Sequence, residues 1–131
     1  MSQIKWLEVL GWGQEELEDL RFVGYSYIKQ GKYDLAVTFF EALVVLNPES
    51  AYDLQTLGAL YLQMNNNLAA LNYIERALKI EPTHLPTLLN RTKALFALGY
   101  KKQGLAQARF LETTVETAIE NQDSALILSY S

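Results

Sequence analysis

A 34-residue spacing constrains this chain more than any other feature. Pro48 and Pro82 stand 34 positions apart, and so do Gly24 and Gly58. Leu20 and Leu54, Tyr27 and Tyr61, and Ala36 and Ala70 keep the same offset. Gly31, Asn65 and Gly99 carry it through a third step, as do Leu54 and Leu88. A unit of that length cannot bury its apolar face alone, so neighbouring units must stack. The third unit is degenerate. Thr92 stands where the others have glycine, Arg91 where they have Val23 and Leu57, and Gly104 where they have alanine. The 131 residues then form a single domain of three units, at about 17–50, 51–84 and 85–118.

Each unit reads as two helices joined by a tight turn. Leu20, Val23 and Tyr27 give the apolar stripe of a first helix. Gly31 supplies the break, because glycine adopts positive φ without penalty. Tyr33, Ala36, Val37, Phe40, Leu43 and Val44 give the second stripe, which Pro48 ends. The second unit repeats this with Leu54, Leu57 and Tyr61, a break at Asn65-Asn66-Asn67, and Ala70, Ile74, Ala77 and Leu78 before Pro82. Small Gly24, Gly58, Ala36, Ala70 and Ala77 are expected where paired helices cross closely, with Tyr27, Tyr61 and Phe40 filling the space beside them.

The flanks read as further helices. Residues 3–12 form a short one exposing Ile4, Trp6, Leu7 and Leu10, and Gly11 and Gly13 loosen the chain after it. Ala106 to Asn121 forms a long one, with Leu111, Val115, Ala118 and Ile119 facing the repeats. The tail Ala125-Leu126-Ile127-Leu128 is apolar for a terminus. Either both flanks cap the stack, or one of them forms a contact with a second copy or another protein.

Composition excludes several kinds of chemistry. There is no cysteine, which removes thiolate metal sites, disulfides and thiol catalysis. The one histidine, His84, lies between two units in Pro82-Thr83-His84-Leu85-Pro86 with no nucleophile nearby in sequence. It reads as an exposed loop residue that helps start the next helix. Gly11-Trp12-Gly13 follows no strand and reads as a hinge rather than a phosphate loop. The acidic run Glu15-Glu16-Leu17-Glu18-Asp19 suits the start of a helix, where the dipole favours negative charge. Asn90-Arg91-Thr92 matches a glycosylation triplet but falls inside a predicted helix. The net charge of −4, with no basic cluster, excludes a nucleic-acid partner. No apolar run approaches the roughly 20 residues a membrane span needs. The chain therefore reads as a cytoplasmic, non-enzymatic protein with no cofactor and no metal.

The residues resemble the tetratricopeptide repeat. Leu20, Val23, Gly24, Tyr27, Ala36, Phe40 and Pro48 follow that family's signature, and Leu54, Leu57, Gly58, Tyr61, Ala70, Ile74, Ala77 and Pro82 follow it again. Leu43 departs, since a small residue is usual there. The resemblance implies an all-α fold: a short α-solenoid of three helix pairs with N- and C-terminal capping helices.

In such a stack the first helix of each pair lines a concave face. The register puts Arg21, Tyr25, Ile28 and Lys29 there in the first unit, Tyr52, Gln55, Ala59, Leu62 and Gln63 in the second, and Leu89, Lys93, Phe96 and Ala97 in the third. This is a largely apolar, aromatic groove. It is filled either by a protein client or by the chain's own C-terminal tail. Tetratricopeptide co-chaperones of heat-shock proteins hold a C-terminal carboxylate with Lys and Asn on these helices. The matching positions here pair Arg21 with Tyr25, Gln55 with Ala59 and Leu89 with Lys93, so both asparagines are missing. Arg21 and Lys93 remain available for a carboxylate, without that clamp.

A narrower resemblance is to the type III secretion chaperones. It rests on Gly31-Lys32-Tyr33 through Phe40-Glu41-Ala42-Leu43-Val44-Val45-Leu46, and on Leu57-Gly58-Ala59-Leu60-Tyr61-Leu62-Gln63-Met64. Leu43 fits this family. The N-terminus is shorter than the dimerising extension of translocator chaperones, which leaves needle-subunit chaperones as relatives. The resemblance implies an apolar or amphipathic segment of a secretion subunit as client, with a homodimer or a second chaperone engaged through the N-terminal helix. The other reading is a scaffold or adaptor within a larger assembly.

Overall fold

The computed structural model describes residues 5–120. They form seven helices: α1 (Trp6–Leu10), α2 (Gln14–Lys29), α3 (Tyr33–Leu46), α4 (Ala51–Gln63), α5 (Asn67–Ile80), α6 (Leu85–Ala97) and α7 (Lys101–Glu120). No strand occurs among the described residues. Helices α2 and α3, α4 and α5, and α6 and α7 pack as pairs. The contacts of α3 with α4 and of α5 with α6 join the pairs into one stack. The fold is all-α and a helical-repeat solenoid.

The turn inside each pair is the same piece of chemistry three times. Gly31, Asn65 and Gly99 have φ of 72°, 61° and 85°. That left-handed residue lets the next N–H reach back to a carbonyl five residues earlier. Lys32 donates to Tyr27 at 2.9 Å, Asn66 to Tyr61 at 2.9 Å and Tyr100 to Leu95 at 2.8 Å. Carbonyls orphaned at the helix end are thereby satisfied. Asn65 takes the position because asparagine tolerates this conformation better than other side-chain-bearing residues.

The helix starts differ from pair to pair. The Glu16 carboxylate accepts from the Gly13 N–H at 3.1 Å, closing the first turn of α2. Ser50 caps α4 through the Asp53 N–H, and Asn66 caps α5 through the Ala69 N–H.

Close helix crossings follow the expected small-against-large rule. A Cβ on Gly24 would meet the Phe40 ring at 2.9 Å, and one on Gly58 would meet Ile74 at 2.9 Å. The third pair reverses the arrangement. Thr92 replaces the glycine, and Gly104 on α7 makes the close approach instead, beneath Phe96. α7 begins at Lys101 rather than near residue 106, in register with Tyr33 and Asn67, the first residues of α3 and α5. Gly104 lies inside the helix because it is a packing residue, not a break.

Two expected core positions are corrected. Val23 belongs to the predicted stripe of α2 yet is 37% exposed. Leu57, its equivalent in the second pair, is fully buried. Leu57 has α3 stacked against its helix, whereas α1 lies on α3 and leaves that side of α2 open. The buried residue at the start of α2 is Leu17, which joins Phe40, Leu43, Leu54 and Leu57 in the main core. Ile119 is 59% exposed and does not face the repeats. Leu111 is buried against Leu85 and Leu88, as expected. Ile4 and the apolar tail 125–128 lie outside the described residues, and the side chain of Ala118 is not described.

Candidate functional site

The concave face carries a cavity of about 310 Å³ built from three helices of three different pairs. Tyr25 and Ile28 come from α2, and Tyr52, Gln55, Thr56 and Ala59 from α4. His84, Pro86, Thr87 and Asn90 come from α6 and the residue before it. No Lys, Arg, Asp or Glu lines it. Its wall combines the rings of Tyr25 and Tyr52 with the hydroxyl and amide groups of Gln55, Thr56, Thr87 and Asn90. Such a surface offers apolar contact together with neutral hydrogen-bonding groups.

The structure brings together five of the predicted groove residues, Tyr25, Ile28, Tyr52, Gln55 and Ala59. The other predicted residues do not line this cavity. Arg21 reaches across to the next repeat. Its Nε donates to Asp53 Oδ1 at 2.7 Å and its terminal nitrogen to Oδ2 at 2.8 Å. Asp53 is completely buried, and the hydrogen bond to it holds the Arg21 guanidinium still more firmly protonated, against the opposing effect of burial. Arg21 is therefore paired with an internal carboxylate along one edge of its guanidinium.

Lys29 lies over the Tyr25 ring, 4.9 Å from its centroid. Leu62 packs against the cluster of Ala70, Ile74 and Ala94. Phe96 leans on Gly104 of α7. Gln63, Leu89 and Lys93 are exposed and do not line the cavity.

Five lining residues escaped the sequence reading: Thr56, His84, Pro86, Thr87 and Asn90. A signal for them existed in the repeat. Thr56 and Asn90 are 34 apart, and so are Asp53 and Thr87. Asn90 also opens the glycosylation triplet Asn90-Arg91-Thr92. His84 occupies the cap position of α6, 34 residues after Ser50. It is half-buried rather than exposed, with Nδ1 2.7 Å from Thr87 Oγ1. The triplet's Arg91 is tied to Glu75 on α5 and donates to Gln107 on α7 at 2.9 Å. An arginine at an expected apolar position thus joins three helices.

A polar network lies among α3, α4 and α5. The hydroxyls of Tyr61 and Tyr73 both donate to the Glu41 carboxylate, and their rings stack with centroids 5.7 Å apart. Burial and the neighbouring carboxylate push the Tyr61 phenol up to about 12, and raise Tyr73 too. Beside this network, α1 leaves an apolar cleft of about 580 Å³, lined by Trp6, Leu10, Trp12, Leu20, Val45 and their neighbours.

Among the described residues no cluster of His, Asp or Glu could hold a metal, and no helix is long and apolar enough to cross a membrane. The comparisons with known proteins agree with the repeat architecture. Residues 29–111 match the family described as anaphase-promoting complex, cyclosome, subunit 3. The chain belongs to this tetratricopeptide family.

Solved structures show the same tetratricopeptide fold. The structure of PcrH in complex with the chaperone binding region of PopD has a TM-score of 0.71 at 22% identity, covering 91% of this chain and 93% of that one. The first tetratricopeptide domain of Spaghetti (RPAP3) bound to the HSP90 peptide SRMEEVD has a TM-score of 0.70 at 20% identity, covering 86% and 96%. MamA has a TM-score of 0.71 at 20% identity, and the chain covers 60% of its length. No curated protein matches the chain.

Proposed function

We propose that the chain is a cytoplasmic, non-enzymatic chaperone of type III secretion that binds an apolar or amphipathic segment of an export substrate, a translocator or needle subunit, and keeps it soluble before secretion. The observation that carries this is the concave cavity of all three repeats with no charged side chain in its wall. A surface of that kind receives an extended apolar segment or the face of an amphipathic helix. The likeness to PcrH, solved with the chaperone binding region of PopD, supports the reading.

The test is co-purification from the native cell with the wild-type chain beside a Tyr25→Glu, Tyr52→Glu variant of unchanged helicity. Both rings are exposed, so charge there should leave the fold intact. One small secreted subunit held only by the wild type supports the chaperone. The same set of proteins on both baits would move the function off the groove.

The second reading is a scaffold or adaptor in a larger assembly, favoured by the match to a family described as a subunit of a complex. A further partner, either a second copy or a second chaperone, fits the N-terminal helix. There Trp6 and Leu10 of α1 line an apolar cleft, and Asp19 and Val23 of α2 are exposed although Asp53 and Leu57, their equivalents one repeat on, are buried. Sedimentation of the purified chain separates a homodimer from a monomer awaiting another protein.

A further inference from the structure

We propose that the Arg21–Asp53 pair determines client specificity, offsetting the Arg21 guanidinium beside the concave cavity so that the site disfavours carboxylate-bearing peptides. This rests on the reading of the cavity as the client site.

The argument is electrostatic and positional. Arginine binds a carboxylate with two parallel N–H bonds, and Asp53 occupies the edge of Arg21 formed by Nε and one terminal nitrogen, its negative charge offsetting the guanidinium's. Arg21 lies one helical turn before Tyr25, and Asp53 directly follows Tyr52, so the pair sits beside two cavity rings. The other arginine on the groove helices, Arg91, is held by Glu75 and Gln107. Lys29 keeps its charge over the Tyr25 ring, and neither it nor Lys93 lines the cavity wall.

The repeat register shows that the pairing is specific to this step. One repeat after Arg21 stands Gln55, and one repeat after Asp53 stands Thr87, which is buried as Asp53 is. The fold therefore accepts a neutral residue at the Asp53 position. A charge pair there is not a requirement of stacking, and its effect on the groove is to offset a cation.

The probe is the heptapeptide SRMEEVD, with acidic side chains and a free C-terminal carboxylate, titrated by calorimetry against the full chain. The wild type is expected to give no saturable binding up to 1 mM, on the order of the weak end of measurable affinity. Asp53→Thr, which copies the third repeat, should free Arg21 and bind at least about tenfold more tightly, a gain of roughly 1.4 kcal/mol. Adding Arg21→Met to Asp53→Thr should abolish the gain.

A second variant leaves the buried pair intact. Gln55→Lys with Glu81→Gln places an unpaired ammonium on the cavity wall, where Gln55 now donates to Glu81 at 3.0 Å. It should also bind the peptide. Binding by the wild type equal to that of Asp53→Thr would overturn the proposal. So would a folded Asp53→Thr, or a folded Gln55→Lys, Glu81→Gln variant, that binds no better than wild type. Capture of the export subunit is read separately, so failure of the chaperone reading leaves this titration standing.

Discussion

The ring of Phe96 rests on Gly104, so closely that a Cβ on the glycine would come within 3.1 Å of it. The third helix pair depends on this contact, because the Gly–Phe crossing of the first pair is absent from it. Gly104→Val is expected to destabilise the chain by about 1–3 kcal/mol, the usual cost of overpacking. Denaturant unfolding followed by circular dichroism measures it. An unchanged midpoint would mean that α6 and α7 cross elsewhere.

Burial divides two residues that the sequence pattern treats alike. Phe40 is fully buried, and Phe40→Ala should cost about 3–5 kcal/mol. Val23 belongs to the same predicted apolar pattern but is open to solvent, and Val23→Ala should change stability by no more than about 0.5 kcal/mol. Thermal melts of the two variants side by side decide the matter. Equal losses would show that something covers α2 in solution.

The turn between α4 and α5 gives a backbone test. Asn65 holds φ at 61° where its repeat equivalents are glycine. A β-branched residue there is strained, so Asn65→Val should lower stability by about 1–2 kcal/mol, while Asn65→Gly should be nearly neutral. Urea midpoints for the two variants check the sign. A stable Asn65→Val would mean the turn can adopt another conformation.

The Glu41 network predicts alkaline behaviour. Tyr61 titrates near 10.0 when unfolded and at about 12 when folded, so the folded state retains the phenol proton. The unfolded state loses it first. Stability from this group is therefore fully present below pH 10 and falls as pH rises toward 12. Melts between pH 9 and 12 should show a steeper loss for the wild type than for Tyr61→Phe. Parallel curves would place the Tyr61 hydroxyl in ordinary solvent.

Much of the molecule was legible because the repeat is a local code. A proline ends α3 and α5, a glycine or asparagine turns each pair, and alternating small and large residues mark the crossings. Those choices act within one unit, and a 34-residue offset reveals them three times. The concave face was legible only to a first approximation. Tyr25, Ile28, Tyr52 and Gln55 were placed on it by register alone. Asn90 and Thr87 were not, because a residue's face on the third unit depends on how α6 sits against α4.

The sequence by itself determined the helix pairs of the first two repeats, the turns within each pair and the stacking order, since these follow from propensity, capping and periodicity within 34 residues. Only the tertiary structure decided which polar groups are spoken for. Arg21 and Asp53 lie 32 residues apart, and nothing local shows that one will neutralise the other. Val23 and Leu57 occupy the same register, yet only Leu57 is buried, because burial depends on the helix that a neighbouring unit supplies. Apolar pattern is a property of one segment, whereas desolvation and charge pairing arise only between segments.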